Sequence, residues 1–436
     1  MTTLDDKISD LFSRTGGHTI KFGLDTVRAL LAEMDVDPLA LPCVHIAGTN
    51  GKGSTAAMLA AICQASGLRT ALYTSPHIFR FNERIQIDGA PIADQDLSAL
   101  IDLAIEADAR QAAATPQSRP ATFFELTTAI AFRYFLDRHV HLAILETGMG
   151  GRLDATNVVD SIASVITPLG LEHTDYLGPT LRHIAAEKGG IVKPGRPLIL
   201  ATPQPPEALE VLLGIAAERH APVIMAGDRV AIRASRSRTD AVGQTLHIQT
   251  PDADLPPIHL PLCGAFQMQN AATAVAAALY LRSVSLPVTD AAIVDGLSNV
   301  RWPGRLQKIG DAPPTYLDVG HNPHAAAALV PALKAIKGKR PLVLLCGLLS
   351  DKDALAYFRA LRPVVARALL VPLPTPRNTP IKTLLSAAQT AGLSAEAVSP
   401  ETALSAARAL AADLGAVLLL AGSFHLPEAI GLASAP

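Results

Sequence analysis

Residues 48 to 55, Gly-Thr-Asn-Gly-Lys-Gly-Ser-Thr, hold the clearest chemistry in the chain. The apolar run Val44-His45-Ile46-Ala47 precedes them, and a small-residue stretch from Ser54 to Ala65, free of Pro and Gly, follows. The run reads as a buried strand end. The stretch reads as a helix stopping at Gly67. A second apolar run, Thr70 to Thr74, completes a β-loop-α-β unit. Backbone N–H groups, the positive end of a helix and a Lys side chain together suit a polyphosphate. A merely flexible glycine turn would not need that setting, so the loop is expected to bind a nucleotide. Its spacing departs from the strict G-x-x-x-x-G-K-[ST] form: Gly53 separates Lys52 from Ser54, and Ile46 stands where the strict form has Gly.

The elements around the loop decide what else can reach it. Apolar runs alternate with helical stretches, which predicts an α/β fold: a P-loop, doubly wound, mostly parallel sheet. His141 to Leu145 reads as a strand ending at Glu146, and Ala163 to Thr167 as another leading to the turn Leu171-Glu172-His173. Ligands gather beyond the carboxyl ends of parallel strands, where Glu146 and this turn are expected. From about Pro222 to Leu262, short alternating segments predict a small antiparallel addition, and Gln267 to Leu281 predicts a helix. Gln111 to Ala114 reads as a helix end leading to Pro116. Trp302-Pro303-Gly304-Arg305 reads as a hinge. Beyond it, Thr315 to Val319, Leu342 to Cys346, Ala368 to Val371 and Ala416 to Ala421 predict a smaller C-terminal Rossmann-like α/β domain. The expected division is therefore 1–300, a hinge at 301–312, and 313–436.

Further matches follow in order along the chain. They are Ser75-Pro76-His77, Asn82-Glu83-Arg84-Ile85, Thr122-Phe123-Phe124-Glu125 and Glu146-Thr147-Gly148-Met149-Gly150-Gly151-Arg152-Leu153-Asp154-Ala155-Thr156-Asn157. Glu172-His173-Thr174, Glu187-Lys188-Gly189-Gly190-Ile191, Phe266-Gln267-Met268-Gln269-Asn270, Pro303-Gly304-Arg305, Asp318-Val319-Gly320-His321-Asn322-Pro323 and Gly422-Ser423-Phe424-His425 complete them. With the Gly-containing loop, this set resembles the bifunctional dihydrofolate synthase/folylpolyglutamate synthase branch of the Mur ligase superfamily. The resemblance implies an ATP-dependent ligase that joins L-glutamate to dihydropteroate and to reduced folates through an acyl phosphate.

Roles carried over from that resemblance fall into four groups. Asn50, Gly51, Lys52, Gly53, Ser54 and Thr55, with Asn270, Arg305 and Asp318, would bind ATP. Thr122, Phe123, Phe124 and Glu125, with Leu153, Asp154 and Ala155, would bind the pterin. His321 and Ser423 would take the incoming glutamate. Ser75, Glu146, His173 and Lys188 would hold two Mg²⁺ ions, with Lys188 carbamylated. Lys52, Lys188, His173, Arg305 and His321 are the expected catalytic set. Taken from the residues alone, Glu187-Lys188 is an ordinary surface pair on a helix, and Arg305 a solvated linker charge. The resemblance instead implies that Arg305 completes the site on closure. Glu172 and Gly189 stand where the family usually has Asp and Ala, and Gly320 where it usually has Ala before the His.

Composition is consistent with this picture. The net charge of −2 with mixed signs offers no nucleic-acid or anionic-membrane surface. No uninterrupted apolar run is long enough to span a bilayer. Cys43, Cys63, Cys263 and Cys346 form no C-x-x-C pair and read as core residues of a reducing compartment. A cytoplasmic monomer acting on small molecules is expected. A Mur-type amino-acid ligase remains an alternative, although few residues precede the loop where such ligases usually carry a UDP-sugar-binding domain. A GTPase would need an N-K-x-D guanine reader, which is not found. A non-catalytic ATP-binding module should lack Glu146, His173 and Lys188 together. A folylpolyglutamate synthase without the first activity also stays open.

Overall fold

In the first part of the chain, aliphatic runs are buried on both faces, as parallel strands covered by helices must be. The computed structural model describes residues 3–14, 23–114, 119–234 and 243–432. Its first sheet contains β1 (Cys43–Ala47), β2 (Thr70–Tyr73), β3 (Ile85–Ile87), β4 (Ala90–Pro91), β5 (Leu142–Glu146), β6 (Ala163–Ile166), β7 (Leu198–Leu200) and β8 (Val223–Met225). The order across the sheet is β4-β3-β2-β5-β1-β6-β7-β8. Only β3 runs against the rest, antiparallel to both β2 and the edge strand β4. Strand β1 lies between β5 and β6, with Ile46 opposite Glu146 and Ala47 opposite Ile166. The glycine loop, Glu146 and the turn after β6 therefore leave the sheet side by side.

The helix Lys52–Ala65 starts directly at the loop. Its Ala-rich, almost wholly buried surface lets it lie close against the sheet. Gly67, at φ +79°, ends it as expected, and the Leu68 amide donates to the Cys63 carbonyl at 3.1 Å. The helix Phe123–Asp137 buries Phe132 and Phe135 completely, each worth about 1.5–3 kcal/mol of apolar transfer.

A second sheet comprises β9 (Ala231–Ala234), β10 (Gln244–Gln249) and β11 (Ile258–Leu260), in the order β11-β10-β9. A third contains β12 (Gln307–Asp311), β13 (Pro314–Asp318), β14 (Leu342–Cys346), β15 (Arg367–Leu370), β16 (Ala395–Ala397) and β17 (Val417–Ala421). Its order is β12-β13-β17-β14-β15-β16, parallel except for β12. Asp318 is opposite Ala421, so the loops after β13 and β17 are neighbours.

Three boundaries differ from the sequence expectation. Val223–Met225 joins the first sheet parallel to β7, so the antiparallel addition starts only at β9. Residues 307–311 of the expected hinge form β12, because Gln307 and Lys308 pair with Leu317 and Tyr316. The chain divides into two compact units, Met1–Ala231 with Gln249–Leu255 and Asn270–Leu297, and Ile232–Ile248 with Pro256–Gln269 and Ser298–Pro436. The stretch around Cys263 and Phe266 thus groups with the later residues, since both side chains pack against that unit's core. All four cysteines are free. No helix among the described residues is long and apolar enough to cross a membrane.

Candidate active site

The glycine loop has a fixed shape because its glycines have no alternatives. A Cβ on Gly48 would lie 1.8 Å from Thr167 Oγ1, and one on Gly51 2.3 Å from Asn270 Oδ1. Gly51, at φ +84°, opens the helix in the left-handed region without a side-chain cap. The Thr49 and Asn50 amides donate to the Pro168 carbonyl at 3.2 and 3.3 Å, and the Thr49 hydroxyl donates to the Gly170 carbonyl at 3.0 Å. Lys52 folds back, its Nζ donating to the Thr49 carbonyl at 3.3 Å. Gly53, Ser54 and Thr55 are buried, and the Thr55 hydroxyl has no hydrogen-bond partner among the described residues. The structure therefore brings Asn270 against the loop itself, while Pro168 and Thr167, which the sequence reading did not single out, hold it from behind.

Lys188 is the second component. It sits on the helix Leu181–Gly189, where Glu187 turns outward to Arg152 at 2.8 Å. Lys188 turns inward, is 2% exposed, and donates through Nζ to the Gly48 carbonyl at 2.6 Å. The surface-pair alternative holds for Glu187 and fails for Lys188. Burial, followed by the charge of Lys52, pushes the amine down to about 7, against the opposing pull of Glu172, Asp154 and Glu146. Where the family usually has a methyl group at position 189, Ile215 Cδ1 lies 2.6 Å from where the Cβ would be.

Glu146, 5% exposed at the end of β5, accepts the Ser75 amide at 3.2 Å. This joins two of the expected metal ligands. His173, at φ +51°, precedes the short helix Thr174–Leu177 and lies 3.9 Å from the Glu172 carboxylate. Among the described residues no three His, Cys, Asp or Glu side chains converge as a self-sufficient metal site.

The expected pterin residues divide by what they already bind. Thr122 caps the helix Phe123–Asp137, and Glu125 completes a capping box, accepting the Thr122 amide at 2.8 Å. Arg119 grips the same carboxylate with two bonds of 2.7 Å. The polar groups expected to face a heterocycle are thus committed to the helix start. The T-x-x-E spacing that announces a capping box was present in the sequence. Phe123 is buried and stacks on Phe12 at 4.6 Å. Phe124 is half-buried, 6.1 Å from the Tyr73 ring, and its Cζ is 2.5 Å from where a Cβ on Gly148 would sit. One Phe lies inside and the other flanks the Gly-rich loop. Asp154 ties that loop down by accepting the Gly148 and Met149 amides at 2.9 Å and the Thr156 hydroxyl at 2.5 Å. Burial raises its carboxyl despite those bonds. Thr156 also contacts His45 Nε2 at 2.8 Å, and burial holds that ring neutral by pushing it down to about 3. Leu153 is half-buried and Ala155 buried beside Asp154.

A separate cluster lies in the second unit. Asp318 accepts the Leu306 amide at 2.9 Å and the Gly320 amide at 2.8 Å. Burial raises its carboxyl, while Arg305 and His321 act the other way. The Arg305 guanidinium lies 5.3 Å over the Phe424 ring, and His321 is 5.7 Å from the same ring. Ser423 is buried, and its hydroxyl accepts the His425 amide at 3.1 Å. The adjacent β13 and β17 loops thus bring Arg305, Asp318, His321 and Ser423 into one neighbourhood.

Known proteins resemble this chain over most of its length. Residues 46–278 match the Mur ligase middle domain, and residues 304–424 match the Mur ligase glutamate ligase domain. The dihydrofolate synthase/folylpolyglutamate synthase of Bacillus subtilis is 34% identical over 372 residues, 85% of each chain. A Mycobacterium tuberculosis folylpolyglutamate synthase solved with ADP and AMPPCP superposes with a TM-score of 0.88 at 32% identity, covering 94% of this chain and 95% of that one. E. coli FolC in complex with DHPP and ADP superposes with a TM-score of 0.85 at 31% identity, covering 99% and 96%. With both Mur ligase domains matched and its relatives aligned over most of their length, the chain belongs to the dihydrofolate synthase/folylpolyglutamate synthase branch of the Mur ligase family.

Proposed function

We propose that the protein uses ATP to join L-glutamate to dihydropteroate, forming dihydrofolate, and then to reduced folates. An amine does not displace oxide from a carboxylate at neutral pH, so the carboxylate must first be activated. A carboxylate oxygen attacks the γ-phosphorus, the bond to ADP breaks, and an acyl phosphate forms. The glutamate amine, having lost a proton, attacks the acyl carbon, and inorganic phosphate leaves with the C–O electron pair. Phosphoryl transfer of this kind depends on positioning and charge neutralisation. The glycine loop, the helix start behind it and Lys52 provide both.

The observation that carries this reading is Lys188 buried against the Gly48 carbonyl with an amine near 7. A neutral amine at working pH can add CO₂, releasing a proton and leaving an N-linked carbamate. The side chain then carries an anion beside Lys52 instead of a repelling cation. Glu146 and Ser75, already joined by a hydrogen bond, would hold a Mg²⁺ ion, which prefers such oxygen ligands. Such an ion supplies charge neutralisation on the phosphate oxygens. His173 and the Lys188 carbamate are the residues assigned to a second ion. Phe124, with the Leu153-Asp154-Ala155 segment, is assigned to the pterin, together with Thr122, Phe123 and Glu125 as the wall behind it. Asn270, Arg305 and Asp318 are assigned to the nucleotide, and His321 and Ser423 to glutamate. A single chain acting on dissolved substrates in the cytoplasm fits this assignment.

The test is product mass after incubation with ATP and glutamate, using dihydropteroate in one tube and tetrahydrofolate in another. Glutamate added in both is the expected result. Addition only to tetrahydrofolate would remove the first activity, and addition to neither would overturn the reading.

A further inference from the structure

Arg84 is a buried cation that no acid among the described residues pairs. It ends the turn Phe81–Arg84 and leads into β3. Its carbonyl accepts the Thr74 amide at 3.0 Å, so it stands beside the Ser75 loop. The residue is 5% exposed. Its Nε donates to His77 Nδ1 at 2.8 Å, and its guanidinium carbon lies 5.6 Å from the Phe81 ring centre and 5.2 Å from that of Phe123. Among the described residues no carboxylate forms an ion pair with it. The adjacent Glu83 is directed elsewhere, accepting the amides of Ile78, Phe79 and Arg80. Arg119 differs in this respect, since the Glu125 carboxylate holds it through two bonds. Burial lowers Arg84 to about 10, with Tyr73 and Glu146 opposing the shift, so it stays charged at neutral pH.

Holding a buried guanidinium without a counter-ion is expensive, and two aromatic faces offset only part of the cost. An arrangement of this kind suits an anion that arrives with the substrate. A guanidinium matches a carboxylate through two parallel bonds, and a carboxylate approaching a polyphosphate needs its own charge offset. The position agrees with that role. Tyr73 pairs with Leu145 across β2 and β5, which sets the Ser75 loop beside Glu146, while Phe123 and Phe124 begin the neighbouring helix. An aromatic substrate body along Phe124 would direct its acid end towards Arg84 and Glu146.

On the folate-ligase reading, we propose that Arg84 binds the substrate carboxylate that is to be phosphorylated, through the two terminal nitrogens of its guanidinium. No proton moves to or from Arg84, which orients the two oxygens and offsets their charge while one attacks phosphorus.

The experiment compares dissociation constants of dihydropteroate and of the same pterin-aniline lacking its carboxyl group. Both are measured on the full chain as wild type, Arg84→Lys and Arg84→Gln. Wild type is expected to favour the acid by roughly 10- to 100-fold, the worth of charge-assisted hydrogen bonds. That preference should fall towards one in Arg84→Gln and to an intermediate value in Arg84→Lys, with ADP affinity within about twofold throughout. Parallel weakening of both ligands, with the preference intact, would make Arg84 structural and overturn the proposal. If Arg84→Gln loses ADP binding, Arg84→Lys decides by the same ratio. Equal wild-type binding of both ligands overturns the Arg84 assignment alone, whereas failure to bind either overturns the folate reading and this proposal with it.

Discussion

Glu146 and Glu125 are equally deep acids on neighbouring elements, and they serve opposite ends. Glu125 is closed off, its oxygens shared between Arg119 and the helix cap. Glu146 stands at a strand end, next to the loop and in electrostatic reach of Lys188 and Arg84. The same contrast separates the two halves of the site. On the side proposed for the nucleotide, the glycine loop is fixed by its backbone, and Lys188 is buried against the Gly48 carbonyl. On the side proposed for the pterin, Thr122, Glu125 and Arg119 satisfy one another, and Phe124 is half-buried. Burial alone therefore does not mark a functional acid. What distinguishes the two is their setting: Glu125 is built into a helix cap, whereas Glu146 stands at a strand end beside the glycine loop.

The largest effect should come from breaking the nucleotide side. Gly48→Ala places a methyl group in the space of Thr167 Oγ1, so ATP affinity and ligase turnover should each fall roughly 100-fold or more, read by calorimetry and product mass. Near-normal binding would show that the loop has slack the close approach denies. A change at Lys188 sharpens the comparison further. Its folded pKa, near 7, lies below the unfolded value of about 10.4, so the unfolded chain binds more protons between those values. Stability should therefore rise with pH across that window, by up to about 1.4 kcal/mol per pH unit, and be lost as pH falls towards 7. In CO₂-free buffer, where Lys188 is a free amine, Lys188→Met should remove that slope in denaturant titrations, and an unchanged slope would mean that the amine is not desolvated. The smallest effect belongs to the pterin side. Thr122→Ala should cost about 1 kcal/mol of stability through the lost cap and shift the KM for dihydropteroate by less than about fivefold. A large KM change at unchanged stability would return Thr122 to the ligand.

Much of the nucleotide side was legible because its constraints are local. A strand, a glycine loop and a small-residue helix stand in sequence, so Lys52 and its surroundings could be read directly. Glu146 was legible because strand ends are where parallel sheets present ligands. The Thr122-x-x-Glu125 spacing was assigned to a ligand although it also spells a helix cap, and the cap claims the polar atoms. His45 depends on Thr156, far away in the chain, and Arg84 and Arg119 on how the fold turns short segments back on themselves, and no spacing rule reveals that. The second-unit boundary moved for a related reason. Cys263 and Phe266 pack with residues that the chain reaches only later, so local punctuation at Trp302-Pro303-Gly304 misplaced them.

The most direct measurement is the carbon-13 NMR spectrum of the full protein equilibrated with labelled bicarbonate, beside its Lys188→Ala variant. Wild type is expected to show a carbamate resonance that is absent from the variant, and the variant to lose glutamate transfer that added short carboxylates partly restore. A spectrum without that resonance, from a protein that transfers glutamate at full rate, would contradict the carbamate assignment.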